Sequence, residues 1–175
     1  MNFRIERAEP GSPQAMALIA ALNLELSGAY PEAGATHFGL EAADVAPGHG
    51  AFLVAYQDER AIACGAVRLI DPSTAELKRM YVEPDVRGSG FGRRLVDALE
   101  REATLLGAAR VVLETGIRQT AAIVLYARSG YTPIPLYGEY TASPGTSVCL
   151  GKTLRGNGQP QPDRLHTPDS DRGGS

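Results

Sequence analysis

The sequence predicts an α/β fold of the α+β kind, in which helices flank a mixed and mostly antiparallel sheet. Three strand patterns follow one another through residues 51–82, with only short polar turns between them. A glycine-rich turn and a helical pattern come next. An apolar strand returns after this crossover, which places it parallel to the last of the three strands. A second helix and a closing hairpin complete the predicted order.

The first fifty residues predict one strand and one main helix. Asn2–Ala8 alternates apolar and polar residues, which is typical of a strand. Ser12 is a good N-cap and Pro13 suits the first helical position. We therefore expect a helix through Ala15–Leu26, and a further short helix at Leu40–Val45.

Three antiparallel strands are predicted next, at Ala51–Tyr56, Ala61–Ile70 and Ala75–Val82. The polar residues 57–60 and a turn at 71–74 join them, which indicates two successive hairpins. The third of these strands is predicted to be the centre of the sheet, because the glycine-rich turn follows it directly.

A helix is predicted over Gly90–Leu106, ending before Gly107. Its apolar residues recur at helical spacing and give it one apolar face. These residues are Leu95, Val96, Leu99, Ala103 and Leu106. Arg110–Glu114 predicts a short buried strand, and we expect Thr115 and Gly116 to end it.

The remaining elements are a helix and a hairpin. Gln119–Arg128 predicts the second core helix, with Gly130 as a plausible C-cap. Tyr131–Pro133 and Ser147–Lys152 are expected to pair as the final hairpin. Residues 155–175 contain almost nothing apolar, so they predict a disordered tail after a single domain at 1–154.

Composition excludes several classes of protein. The 175 residues suit one domain, and 43% of them are hydrophobic, as in globular proteins. The formal net charge is −3 with no basic stripe, so we expect no nucleic-acid partner. No apolar run reaches membrane-spanning length and no leader opens the chain, so we expect a cytoplasmic protein with no membrane partner. The two cysteines, Cys64 and Cys149, match no metal spacing, and no metal is expected.

The segment Val86–Arg94 predicts an anion site, because a strand precedes its glycines and a helix follows them. Glycines let several backbone N–H groups converge, and the helix N-terminus adds unpaired donors with partial positive charge. A Walker loop would need a Lys after the glycines, which is missing. A dinucleotide fingerprint fails at its third glycine, although Glu114 lies at a suitable distance for a ribose-binding acid. A phosphate or pyrophosphate ligand is therefore predicted.

A third pattern, Arg/Gln-x-x-Gly-x-Gly/Ala, is matched by Arg87, Gly90 and Gly92. It resembles the coenzyme A pyrophosphate loop of the GCN5-related N-acetyltransferases. The resemblance extends over about 57 residues, because Met80-Tyr81-Val82-Glu83-Pro84 precedes the loop as in that family. A later helix also matches in spacing, with Gln where the family has Asn. Its matching residues are Gln119, Ala122, Leu125, Tyr126, Gly130 and Tyr131.

The resemblance implies the GCN5-related fold, with two parallel strands, here Ala75–Val82 and Arg110–Glu114, splayed around the donor. It implies acetyl-CoA as co-substrate, held by the splayed strand, the glycine loop and the second helix. The N–H of Val82 would be the oxyanion donor. The residues implied in donor binding are Met80, Tyr81, Val82, Arg87, Gly88, Ser89, Gly90, Phe91, Gly92, Arg93 and Gln119.

The resemblance also implies the catalytic residues. Tyr126 would donate a proton to the departing thiolate, and Glu76 would be the base, directly or through water, or would bind the cationic amine. Alternation along a strand predicts that Glu76 shares one face with three later residues. These are Lys78, Met80 and Val82.

The acceptor side is less defined by the sequence. His37, Glu114, Tyr137 and Tyr140 are candidate substrate-binding residues, on loops or at a strand end. We expect transfer to a small-molecule amine or amino acid through a direct ternary complex. A protein N-terminus or lysine, a non-catalytic coenzyme A sensor and an NAD-dependent oxidoreductase stay open as alternatives. Dimers are common in this family, so a homodimer is open as well.

Overall fold

The computed structural model describes residues 1–32 and 39–155. His37, and all of the predicted tail after Arg155, lie outside the described residues. The strands and helices are, in chain order, β1 (Phe3–Arg7), α1 (Pro13–Ala29), β2 (Gly50–Gln57), β3 (Arg60–Asp71), β4 (Thr74–Val82), α2 (Phe91–Leu105), β5 (Arg110–Gly116), α3 (Thr120–Arg128), β6 (Thr132–Ile134) and β7 (Ser147–Thr153). Short 3₁₀ turns lie at Ala42–Val45, Pro84–Val86 and Gly138–Ala142.

One sheet of seven strands runs in the order β1-β2-β3-β4-β5-β7-β6. The pair β4 and β5 is parallel and the other neighbours are antiparallel. The predicted mixed, mostly antiparallel sheet with its parallel crossover is therefore confirmed. Among the described helices, none is long and apolar enough to cross a membrane.

The helices cover the sheet in two layers. On one face, α2 buries Leu95 and Leu99 completely against the strands, as its apolar stripe predicts. On the other face, α1 packs Leu18 and Leu22 onto Phe52 and its neighbours. The predicted N-cap is confirmed, since the Ser12 side chain accepts from the third helical N–H. Truncating a buried leucine of α2 to alanine would cost about 2–5 kcal/mol, so this layer holds the site's framework in place.

The strands β4 and β5 separate after a short stretch of pairing. Their paired residues run from Thr74 with Arg110 to Leu77 with Leu113. Beyond this point β4 continues to Val82 without β5 beside it. The predicted splay is confirmed, and it leaves backbone groups on this edge of β4 available to a ligand.

A β-bulge at Arg79 changes the direction of side chains along β4. Arg79 has φ 57, and the pairing with β3 slips at this place. Before the bulge, Ala75 and Leu77 face the core on the α2 side. After it, Met80 and Val82 pack against that same core. The prediction that Glu76 shares a face with Met80 and Val82 is therefore wrong, because the extra residue shifts the alternation by one.

The strand β5 is longer than predicted. It pairs with β7 up to Gly116 opposite Ser147, so the expected end at Thr115 is wrong. A Cβ at Gly116 would collide with the ring and hydroxyl of Tyr30 in its present position. That hydroxyl accepts a hydrogen bond from the N–H of Arg118 at 2.7 Å. The end of α1 is thus fastened to the end of β5.

Candidate active site

The glycine loop joins β4 to α2 and exposes its backbone. Gly88 and Gly90 have φ of 81 and 85, a left-handed conformation that glycine adopts without strain. Gly90 is the N-cap of α2. The first turn of a helix leaves its N–H groups without partners inside the helix, so those of Phe91, Gly92 and Arg93 are suited to an anion. Ser89 lies exposed between the two glycines.

Gly92 brings this helix N-terminus close to the third helix. A Cβ at Gly92 would lie 3.1 Å from the side chain of Leu125 and 3.6 Å from that of Val82. The loop therefore sits directly beside the end of β4 and the third helix. The order of the elements in the sequence predicts that they are neighbours. Their close packing depends on the lack of a side chain at Gly92.

The two arginines assigned to the donor already have protein partners. Arg87 donates to the backbone oxygen of Val82 at 2.8 Å and to Glu25 at 2.6 Å. Arg93 donates to Asp97 at 3.1 Å and to the backbone oxygen of Arg128 at 2.9 Å. Both guanidinium groups therefore brace the loop against neighbouring elements, and both side chains stay partly exposed beside it.

Two further residues predicted to bind the donor pack into the protein. Phe91 stacks on Phe3, with ring centroids 5.0 Å apart. Tyr81 is buried on the α1 side of the sheet. Phe91 is therefore held by packing, and the Tyr81 ring supports the glycine loop, with the guanidinium of Arg87 5.6 Å from its centroid.

A cavity of about 90 Å³ occupies the gap between β4 and β5. Its walls combine strands, helices and the loop before β7. The lining residues used below are Lys78, Met80, Glu114, Gln119, Tyr126 and Tyr140. The structure therefore brings the predicted Gln119 and Tyr126 together with the splayed strand and two of the predicted acceptor residues.

Tyr126 lies in α3 and is 5% exposed. Its ring packs edge-on against Tyr131, with centroids 5.9 Å apart. Burial raises the pKa of the Tyr126 phenol, and the nearby Glu114 carboxylate raises it further. The phenol therefore keeps its proton at neutral pH, and it faces the cavity as a hydrogen-bond donor.

Glu76 is 1% exposed and is held by four groups. Arg68 bonds Oε1 through two nitrogens, each at 3.0 Å, and the Lys78 ammonium lies 4.0 Å away. Tyr137 donates to Oε2 at 2.6 Å, and Tyr140 donates to the same oxygen at 3.2 Å. The carboxylate therefore reaches the cavity through Tyr140 rather than directly.

The predicted acceptor residues converge on this cluster. Tyr137 is the N-cap of the 3₁₀ turn at 138–142 and Tyr140 lies within it, and their rings meet edge-on at 5.2 Å. Burial raises the pKa of both phenols, and the Glu76 carboxylate raises it further. Both hydroxyls thus stay protonated and donate to Glu76. Glu114 lines the cavity at the start of the gap, and His37 is outside the described residues.

Sequence analysis placed Lys78 on the same strand face as Glu76 but did not identify Lys78 or Arg68 as part of the site. Arg68 lies opposite Glu76 in the pairing of β3 with β4. Counting back from the turn at 71–74 would have placed Glu76 opposite Leu69, because the pairing shifts by one residue between Leu69 and Asp71. Within residues 1–32 and 39–155, no group of three His, Cys, Asp or Glu side chains forms a candidate metal site.

The chain matches a family model described as the acetyltransferase (GNAT) family over residues 16–131. It is 34% identical over 154 residues to an "IAA acetyltransferase" of Azospirillum brasilense. That match covers 87% of this chain and 99% of the relative.

Solved structures show the same architecture. A putative acyl-CoA N-acyltransferase from Klebsiella pneumoniae superposes with a TM-score of 0.76 at 32% identity, over 87% of this chain and 98% of that one. A GNAT family acetyltransferase from Elizabethkingia anophelis, solved with acetyl-CoA bound, has the same fold. Its TM-score is 0.63 at 18% identity, over 87% of this chain and 99% of that one. The chain therefore belongs to the acetyltransferase (GNAT) family, and it is an acyl-CoA-dependent N-acyltransferase.

Proposed function

We propose that the protein transfers an acetyl group from acetyl-CoA to the primary amine of a small molecule or amino acid, in a direct ternary complex. The observation that carries the proposal is the gap between β4 and β5, which has the glycine loop beside one end and Tyr126 in its wall. The acetyl-CoA bound to the Elizabethkingia anophelis structure supports the choice of donor.

In this proposal the donor lies along the end of β4. The pyrophosphate binds the N–H groups at the start of α2, with Gly88 and Gly90 allowing close approach. The pantetheine arm bonds the free backbone edge of β4 at Met80 and Val82, and Gln119 lines its path. The N–H of Val82 stabilises the oxyanion that forms on the acetyl carbonyl.

The reaction needs one nucleophile and two proton transfers. The neutral amine attacks the thioester carbon, a C–N bond forms, and the electron pair of the carbonyl moves to oxygen. The C–S bond then breaks, and the sulfur leaves with its electron pair. Tyr126 protonates this thiolate from the wall of the cavity, since its raised pKa keeps the proton available.

Glu76 accepts the proton that the amine loses, through the hydroxyl of Tyr140. Tyr140 lines the cavity and donates to Glu76 at 3.2 Å. Its oxygen can therefore take a proton from the amine while its own proton passes to the Glu76 carboxylate. Glu76→Gln should therefore lower the rate most at low pH, where the unprotonated amine is scarce. An unchanged pH profile would contradict this path.

A ternary complex fits the two cysteines better than a covalent acyl-enzyme. Cys64 is fully buried, and burial raises the pKa of its thiol to about 12. Cys149 is also buried, and burial raises the pKa of its thiol. Neither forms a ready thiolate at neutral pH. Initial rates with both substrates varied should give intersecting lines, whereas parallel lines would indicate an acyl-enzyme.

The first test is thermal unfolding with acetyl-CoA, coenzyme A and NAD in separate samples. A ligand at about 100 times its dissociation constant adds about 2.7 kcal/mol to the free energy of unfolding. We expect a shift of several degrees with both coenzyme A ligands and none with NAD. A shift with NAD alone, or with no ligand, would reject the donor site.

The second test is release of free thiol from acetyl-CoA with a panel of amines and with peptides. Turnover of small amines supports the proposal. Turnover of peptides alone would replace it with a protein acetyltransferase. Coenzyme A binding without turnover of any acceptor would indicate a sensor.

A further inference from the structure

Lys78 and Glu114 lie across from each other where β4 and β5 begin to separate. Leu77 and Leu113 are the last paired residues, so Lys78 and Glu114 come next on each strand. Paired residues of parallel strands point to the same face, and those two leucines face the α2 side. Their successors therefore face the α1 side, and both line the cavity. A cation and an anion thus stand side by side at the acceptor end of the gap.

The Lys78 ammonium is buried with weak partners. The side chain is 5% exposed. Its ion pairs are 3.5 Å to Glu139 and 4.0 Å to Glu76, both longer than an ordinary N–H to oxygen hydrogen bond. The ring of Tyr140 lies 5.9 Å away. An ammonium has three donors, and burying it without close acceptors is costly, so this group is suited to an anionic ligand.

Glu76 and Glu139 can both lose their ion pair with Lys78 at little cost. Arg68 bonds both Glu76 at 3.0 Å and Asp44 at 3.2 Å, and two tyrosine hydroxyls also donate to Glu76, so Glu76 keeps close partners without Lys78. Glu139 has a side chain that is 53% exposed, on the 3₁₀ turn at 138–142. Water can solvate Glu139 if a ligand carboxylate replaces it, so the exchange leaves no buried charge unpaired.

We propose that the acceptor is an amino acid, whose carboxylate binds Lys78 and whose amino group lies beside Glu114. This rests on the proposed function and specifies its acceptor. The two residues present opposite charges from neighbouring strands, as a zwitterion requires. The amino group is then at the fork, toward which the donor extends along the edge of β4. A carboxylate in place of Glu139 also gives the ammonium a partner at hydrogen-bond distance.

The competing explanation is structural, with Lys78 serving only as a counter-ion for Glu76 and Glu139. In that case, loss of the ammonium would affect every acceptor equally. Under our proposal, loss of the ammonium affects acceptors that carry a carboxylate far more than those that lack one. Acceptor chemistry therefore separates the two explanations.

The experiment uses the full chain, acetyl-CoA, and a panel of α-amino acids, each with its carboxamide and its decarboxylated amine. For at least one member, the wild type should show kcat/KM at least about tenfold higher for the acid than for its two analogues. Lys78→Met should reduce kcat/KM for the acid to the level of the amide, and any loss for the two analogues, through the contact of Lys78 with Glu76, should be much smaller. Lys78→Arg, which keeps the charge, should retain part of the preference.

Substitution of a surface residue should improve binding of the amino acid instead of weakening it. Glu139→Gln removes the carboxylate that competes for Lys78, so KM for the amino acid should fall severalfold while the amide is unaffected. No preference for acids in the wild type, or an equal loss for all acceptors in Lys78→Met, would overturn the proposal.

Binding distinguishes failure of this proposal from failure of the proposed function. Thermal unfolding is measured in saturating coenzyme A with and without each amino acid. An added shift in the wild type but not in Lys78→Met supports the carboxylate site even without turnover. Turnover of plain amines with no added shift from any amino acid rejects the site and keeps the acetyltransferase. If there is neither turnover nor a shift, both the carboxylate site and the proposed acetyltransferase function are rejected.

Discussion

The two halves of the candidate site are built in different ways. The donor half consists of Met80–Val82, the loop 87–93 and the first turn of α2, which are contiguous in sequence. It uses mainly backbone groups, exposed by glycines with positive φ. The acceptor half consists of Glu76, Lys78, Glu114, Tyr137 and Tyr140. It uses side chains, and the hydrogen bond from Tyr137 to Glu76 joins residues 61 positions apart.

This difference explains why one half carries a motif and the other does not. A backbone cradle needs small residues at fixed spacing, and this requirement is visible within one short segment. A side-chain cluster needs only that its members meet in space, which many spacings satisfy. We therefore expect substitutions in the two halves to act on different kinetic constants.

The largest effect is expected at Tyr126, where the two halves meet. Tyr126→Phe removes the proposed acid and should lower kcat about 100-fold or more, with little change in affinity for acetyl-CoA. Steady-state rates and thermal shifts with coenzyme A measure the two quantities. An unchanged kcat would remove Tyr126 from the mechanism.

Tyr131→Phe is the matched control. Tyr131 packs on Tyr126 but donates to Glu100 at 3.0 Å, away from the cavity. Its loss should cost about 1 kcal/mol of stability and leave kcat near the wild-type value. Equal losses of kcat in the two variants would mean that packing, not proton transfer, explains the effect.

The donor half is tested by Gly90→Val, which places a branched side chain at φ 85. The loop must distort to accept it, so KM for acetyl-CoA should rise more than about tenfold, while KM for the acceptor stays the same. Gly107→Val is the control, since Gly107 has φ 89 at the other end of the same helix. It should lower the melting temperature similarly without changing KM for acetyl-CoA.

The elements that carry the donor half could be predicted because their determinants are local. The glycine spacing, the preceding strand and the apolar stripe of α2 each predicted an element, and the structure has all three. The position of Glu76 was harder to predict. Strand alternation was applied through Arg79, where no Gly or Pro marks the bulge, so the faces of Met80 and Val82 were assigned wrongly.

The acceptor half also depends on pairings that the sequence did not fix. The prediction ended β5 at Glu114 because Thr115 and Gly116 resemble a turn, whereas pairing with β7 carries the strand to Gly116. Tyr137 and Tyr140 were identified as candidates on a loop over the site. Their shared partner Glu76 became apparent only when the turn at 138–142 was placed over β4.

A pair of tyrosines tests the acceptor half with a smaller effect. Both Tyr137 and Tyr140 donate to Glu76, but Tyr140 is the one that lines the cavity. Tyr140→Phe should lower kcat by up to about tenfold by breaking the proton path. Tyr137→Phe should cost about 1 kcal/mol of stability and change kcat little. The reverse order of the two effects on kcat would contradict a path through Tyr140.

The smallest effect is expected at the bulge, where β4 passes from one half to the other. The Cys64 thiol lies 3.4 Å from the backbone oxygen of Arg79 and supports this bend. Burial raises its pKa from 9.0 to about 12. The folded state therefore holds the thiol proton that the unfolded chain releases above pH 9. The contribution of this thiol to the free energy of unfolding is complete below pH 9 and is lost as the pH rises toward 12.

Between pH 8 and pH 10, this loss amounts to about 1 kcal/mol. Denaturant unfolding at the two values should show wild-type protein losing about that much more stability than Cys64→Ala, since tyrosine titration is common to both. Equal losses would mean that the thiol is hydrated in the folded state. The bulge would then be open to water rather than tightly packed. The boundary between the two halves of the site would be less well defined than the buried Cys64 thiol indicates.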